Sequence, residues 1–236
     1  MIETSPPLAA ANDVEIRDAA CVIVIDYAKP EEPTLLMGRR HADQIFLPDK
    51  WVFPGGRVDA ADRTFARSFD TSYLPRDLAA ELRPFALAGV RELFEEAGLL
   101  IGAGATGDLE NEHWPAFAAA GYAPAPIHLH PLARAITPPG RVRRYDTWFF
   151  TASRAAVANA QSAPDGELLD LDWFTLDAAR KLDLPNITRL VLDDVSLRLQ
   201  STSEGDFSGA DLPFYHEDAC GFQRTLISCT LPQPAP

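Results

Sequence analysis

Residues 91–99 read RELFEEAGL, three glutamates at helical spacing between an arginine and a glycine. In an α-helix each residue advances about 100° around the axis, so with Glu92 at zero, Glu95 falls about 60° to one side and Glu96 about 40° to the other. Three carboxylates therefore share one narrow face, while Leu87, Val90, Phe94 and Ala97 gather opposite them as a core stripe. The spacing predicts a helix that begins at Pro84 and closes at Gly98, a suitable C-terminal glycine. Ala88 and Gly89, one turn back on the acid side, leave room for something to approach.

Like charges at these spacings repel by roughly 0.2–0.5 kcal/mol per pair, and Arg91 with Glu95 offsets part of that. Two readings follow. One is a solvated helix face. The other is a hard-cation site, because magnesium takes carboxylate oxygens together with substrate phosphate oxygens. The Pro54-Gly55-Gly56 turn lies upstream, where the bare carbonyl of Gly56 is a further candidate ligand.

Around this helix the pattern alternates. Residues 19–27 (AACVIVIDY), 34–40 (TLLMGRR), 51–53, 128–136, 144–152 and 167–174 read as strands. Residues 177–182 and 186–199 read as helices, and 223–231 as a strand or a docking tail. Strands mixed with helices predict an α/β/α sandwich with a mixed sheet. The expected division is a tail at residues 1–14, one domain at 15–200 and an extension at 201–236.

A net charge of −13 argues against a nucleic-acid partner, whose phosphates favour basic surfaces. An anionic small molecule then requires a metal and a local basic cluster. Arg141, Arg143 and Arg144 supply that cluster, with Arg39, Arg40 and Arg57 as further candidates for phosphate recognition, unless all are ordinary solvated arginines. Cys21, Cys220 and Cys229 have no metal-ligand spacing, which predicts reduced thiols in a cytoplasmic protein. No stretch is long enough to span a membrane, and a homodimer stays open. His128 and His130 lack a third ligand, and Trp51, Trp148 and Phe149 read as core unless one stacks on a base.

In the order strand, Pro-Gly-Gly, acidic residue and RExxEExG, the chain resembles the Nudix hydrolases over residues 19–182. Gly56, Arg91, Glu92, Leu93, Glu95, Glu96, Gly98 and Leu99 match that family's box. The resemblance implies cleavage of a diphosphate bond in a small molecule. Magnesium or manganese would be held by Gly56, Glu92, Glu95 and Glu96, with Arg91 supporting the acids. It also makes Glu167, in a late loop, a candidate general base, although a turn-flanking surface glutamate is the simpler reading.

The pattern departs at two points. Asp62 stands where the box has glutamate, and 28 residues separate it from Arg91 where the box has seven. The inserted stretch, residues 63–82, predicts a short helix, a break and another helical turn, forming either a surface excursion or a lid. Such an insertion, with residues 35–40, 53–62 (FPGGRVDAAD) and 136–152, is similar to the subgroup that cleaves coenzyme A and acyl-coenzyme A. The alternatives are a nucleotide-sugar, ADP-ribose or dinucleotide substrate, or a Nudix-fold module that binds without hydrolysis.

Overall fold

The computed structural model describes residues 14–75, 78–104, 114–161, 166–201 and 211–228. Most of the two expected tails, Arg76 and Asp77 of the insertion, the Pro164-Asp165 turn and Cys229 lie outside the described residues. Strands β1 (Ile16–Asp26), β2 (Thr34–Arg40), β3 (Trp51–Val52) and β4 (Gly55–Arg57) come first, then helices α1 (Ala60–Ser68) and α2 (Arg83–Ala97). Next are β5 (Leu99–Gly104), α3 (Pro115–Ala119), β6 (Tyr122–Pro124), β7 (His130–Ile136), β8 (Arg144–Ser153) and β9 (Val157–Gln161). The chain continues with β10 (Leu168–Thr175), α4 (Leu176–Ala179), α5 (Asn186–Ser201), β11 (Leu212–Asp218) and β12 (Gly221–Ile227).

A nine-stranded sheet runs β10-β2-β1-β8-β7-β11-β12, with β3 on β2 and β4 on β1. Its centre is the parallel pair β1–β8, and β8 pairs antiparallel with β7. A smaller sheet joins β6, β5 and β9. Alternation along β1 feeds two cores. Ala20, Val22 and Val24 face α2, while Ile23 and Ile25 join Leu35, Met37 and α5 residues Val191, Leu192 and Val195. Helices thus cover both faces of a mixed sheet, the α/β/α arrangement that the sequence predicts. Among the described residues no helix is long and apolar enough to cross a membrane.

Two expectations are corrected by the packing of α2. The room beside Ala88 and Gly89 is filled by the sheet, since a Cβ on Gly89 would meet Val22 Cγ2 at 3.0 Å. The insertion is neither a surface excursion nor a lid. Its Ala66, Phe69, Leu74, Leu78, Ala79 and Leu82 are buried in the same core as Leu87, Val90 and Phe94 of α2. Phe65 packs edge-on against Phe69 at 5.2 Å and tilted against Trp114 at 5.6 Å, and Trp114 meets Phe117 edge-on at 4.9 Å. Apolar side chains enough to cover the back of α2 arrive with the insertion, and burying them outweighs leaving them in water.

The sheet also continues past residue 200. Tyr215 of β11 pairs with Ala135 of β7, and β11 and β12 form a hairpin from Leu212–Ile227 to Asp218–Gly221. Pro213 inside β11 conceals this strand in the sequence, because proline lacks a ladder donor. The β7 side of β11 is paired only at Phe214 and Tyr215, so Pro213 has no partner to lose there.

Candidate active site

Strand β4 carries the glycine turn onto β1, where Gly55 pairs with Cys21 and Gly56 with Ala20. This lays the turn along the acid face of α2. Glu96 accepts a hydrogen bond from the Gly55 amide at 2.7 Å. Any side chain at Gly56 would overlap the Glu92 carboxylate, and one at Gly55 would meet Cys21 Sγ at 2.8 Å. At Gly55 the contact is with the β1 backbone and only glycine fits, while a side chain at Gly56 would push the Glu92 carboxylate away from the turn. Gly98 ends α2 in the left-handed conformation at φ 68°, its amide donating to Phe94 O at 2.9 Å.

Arg91 organises the acids. Its Nη1 donates to Glu92 Oε1 and Glu95 Oε2, both at 2.9 Å. Nε and Nη2 donate to Asp62 Oδ1 and Oδ2 at 3.1 and 2.9 Å, and Nη2 also reaches the Arg57 carbonyl. Asp62, 1% exposed, additionally accepts from the Asp59 amide at the start of α1. A bidentate clamp of this kind fixes two groups in one geometry. Despite the insertion, Asp62 returns to Arg91, so α1 and α2 are tied where the longer excursion begins and ends.

The three glutamates sit in different environments. Glu96 is 2% exposed, whereas the Glu95 side chain is 45% exposed. Burial pushes the Glu96 carboxyl up to about 8, against the opposing Gly55 hydrogen bond, and the charges of Glu92 and Glu167 add to it. Burial likewise pushes Glu92 up to about 7, against the pull of Arg91. Cys21, beside them, is raised to about 12 by burial and the Glu96 charge, so its thiol stays protonated. Two desolvated carboxylates without enough positive charge mark a place where a cation lowers the energy.

The donors fit a hard divalent cation in kind, being carboxylate and carbonyl oxygens. They fit less well as a trio. Among the described residues no three acidic, histidine or cysteine side chains converge on one point. Arg91 draws Glu92 and Glu95 together, while Glu96 turns to Gly55. Magnesium commonly takes only one or two carboxylates and keeps waters, and Glu92 with Glu96 suits that need.

Gly56, Arg91, Glu92, Glu95 and Glu96 all line one open cavity of about 1100 Å³, as do Glu167, Arg57, Arg141 and Arg143. Two expected residues do not. Arg39 is turned away into ion pairs with Asp49 at 3.0 Å and Asp170 at 2.7 Å, and Arg40 faces the cavity instead. Neighbours on a strand point to opposite faces, so only one of that pair can do so. Arg144 braces the β7–β8 connection by donating to the Thr137 carbonyl at 2.9 Å. His128, His130, Trp51 and Trp148 lie outside the cavity lining, and Phe149 is part of it.

Sequence reasoning missed Arg17, whose parity with Ala19 and Cys21 on β1 was the available signal. It also missed Tyr215 and Phe222 at the far end, for which no local signal existed.

Among solved structures, a Nudix hydrolase from Alicyclobacillus acidocaldarius superposes with a TM-score of 0.63 at 23% identity, over 82% of this chain and 99% of that one. More distant is the Nudix domain of Shewanella oneidensis NrtR complexed with ADP ribose, at TM-score 0.47 and 14% identity, over 78% of this chain and 89% of that one. The MutT protein from Methanosarcina mazei Go1 has the same score at 13% identity, over 82% and 99% of the two chains. No family model and no curated protein matches this chain. The first of these likenesses, with the sheet order and helix layers above, shows that the chain has the Nudix fold.

Proposed function

We propose that this protein is a magnesium- or manganese-dependent hydrolase that cleaves a diphosphate bond in a small soluble substrate. One observation carries the reading. Glu92, Glu95, Glu96 and the Gly56 turn share a cavity with Arg57, Arg141 and Arg143, and two of the acids are desolvated. Acid to hold a cation and guanidinium to hold phosphate are what an acidic protein needs to bind an anionic substrate.

Glu92 and Glu96, with the Gly56 carbonyl and Glu95 at the rim, would hold the metal, which supplies charge neutralisation at phosphate and a more acidic water. Arg57, Arg141 and Arg143 orient the diphosphate. Arg91 acts at one remove, holding Glu92 and Glu95 through Nη1. Glu167, on the cavity wall, is the candidate to take the proton as water attacks one phosphorus and the bridging oxygen leaves on the other. No serine or cysteine nucleophile is needed, and the protonated Cys21 thiol suits none.

For the substrate we favour coenzyme A or an acyl-coenzyme A, on the pattern of residues 35–40 and 53–62 and on the cavity's volume. The test is magnesium-dependent hydrolysis across a panel of coenzyme A, ADP-ribose, nucleotide sugars and dinucleotides, with products identified by mass spectrometry. Glu96→Gln should lower turnover about 10³-fold, the several kcal/mol a metal contributes. Its melting transition should remain cooperative. Full turnover in that variant removes the proposed metal site, and no product from any substrate favours the binding module.

A further inference from the structure

We infer that the C-terminal β11–β12 hairpin is the specificity wall of the cavity, receiving a long, mainly apolar arm carried by the diphosphate substrate. The inference rests on the hydrolase reading only for the identity of the head group.

The sheet register makes the case. Arg57 pairs with Ala19, Ala19 with Thr147, Thr147 with Ala135, Ala135 with Tyr215, and Tyr215 with Arg224. Directly paired residues point to the same face, so this rung crosses one side of the sheet from the basic, acid-flanked end to the hairpin. Its middle members, Ala19, Thr147 and Ala135, are small and line the cavity, which makes a trough. From β1 to β12 there are four strand spacings, about 19 Å. A diphosphate at the Glu92–Glu96 end fills only part of that length.

The chemistry changes along the trough. At the hairpin end the Tyr215 and Phe222 rings stack at 6.2 Å with 16° between their planes. The charged groups there are committed to each other. Tyr215 donates to Asp194 at 2.6 Å, and Arg224 donates to Tyr215 at 3.2 Å and to Asp194 at 3.1 Å. Above the floor, Ile45, Val142 and Phe222 line the cavity while 66%, 74% and 50% exposed. Exposed large apolar side chains gathered on one cavity signal a ligand that covers them. Continuity with the acid end makes that ligand the remainder of the same substrate.

The experiment measures binding and turnover separately. Affinities for coenzyme A, as the arm-bearing probe, and 3′-phospho-ADP, as the armless one, are measured by calorimetry with calcium replacing magnesium. Wild type should bind coenzyme A at least about tenfold more tightly than 3′-phospho-ADP, the effect of burying a modest apolar area. Phe222→Glu should reduce that ratio to within about twofold, and the uncharged Val142→Ser should lower it, neither changing the affinity for 3′-phospho-ADP. Phe222→Leu should keep most of it. An unchanged ratio in both Phe222→Glu and Val142→Ser, or no preference in wild type, overturns the inference. So does absence of binding by either probe, and so does an altered molecular mass of Phe222→Glu in light scattering with the ratio intact, which would assign the face to a second copy. Failure to hydrolyse any diphosphate, with the ratio behaving as described, would instead remove the hydrolase reading alone.

Discussion

The insertion at residues 63–82 and the hairpin at residues 212–227 are both additions around the acid helix, and they serve opposite ends. The insertion interrupts the motif itself, yet none of its described residues reaches the cavity. The hairpin begins more than 100 residues after Glu96, yet its Tyr215 and Phe222 line the cavity. Distance along the chain from the motif does not decide involvement. The side of α2, or the face of the sheet, on which an element lands does decide it. The insertion lands behind α2, with its apolar side chains against Leu87 and Phe94. The hairpin lands on the cavity face because Tyr215 extends the rung that starts at Arg57.

The largest expected effect breaks this contrast most directly. Phe69→Ala, in the insertion core, should destabilise the fold by about 3–5 kcal/mol, the usual result of emptying a buried aromatic site. Chemical denaturation measures the loss, and KM and kcat per folded molecule should stay as in wild type. A changed KM would make the insertion part of the binding site after all.

Tyr215→Phe should cost less, about 1–3 kcal/mol, by leaving the buried Asp194 carboxylate without one donor. Unlike the insertion variant, it should also weaken discrimination for the arm-bearing probe. Stability loss without that change would make the hairpin merely structural. Smaller still, Arg40→Ala should raise KM about tenfold, the loss of one charge-assisted contact, while Arg39→Ala stays within about twofold. Equal effects would show that strand parity does not govern access to the cavity.

A further effect, read in Tm and not in rate, concerns the acids that lie between the two regions. Glu92 and Glu96 titrate at about 7 and about 8 in the fold, above the 4.5 of an ordinary glutamate. Between about pH 4.5 and 8 the folded chain therefore holds protons the unfolded chain has lost, so stability falls as pH rises across that window. In scanning calorimetry without metal, Tm should be several degrees lower at pH 8.5 than at pH 5 on account of these groups. Magnesium replaces the protons, so its gain in Tm should be larger at the higher pH. A metal gain independent of pH would argue against Glu92 and Glu96 as its ligands.

Much was legible because it depends on local periodicity. Residues 34–40 form the strand expected of them, and α2 starts one residue before Pro84 and ends at Gly98 as its pattern demands. What was illegible has little local signal. Strand β4 is Gly-Gly-Arg, with almost no side-chain pattern, and β11 contains a proline that argues against a strand. Arg39 and Arg40 are chemically identical in sequence, and only the pleat separates them.

The acid face of α2, the glycine turn that meets it and the layered architecture are all legible in the order of residues. These follow from helical and strand periods and from the absence of a Cβ, which are properties of neighbouring residues. Packing in three dimensions set how far each carboxylate is desolvated, whether Arg141 and Arg143 reach the cavity while Arg144 does not, and which addition becomes core and which lines the cavity. Those outcomes depend on pairing and burial between segments far apart in the chain, where local pattern carries no information.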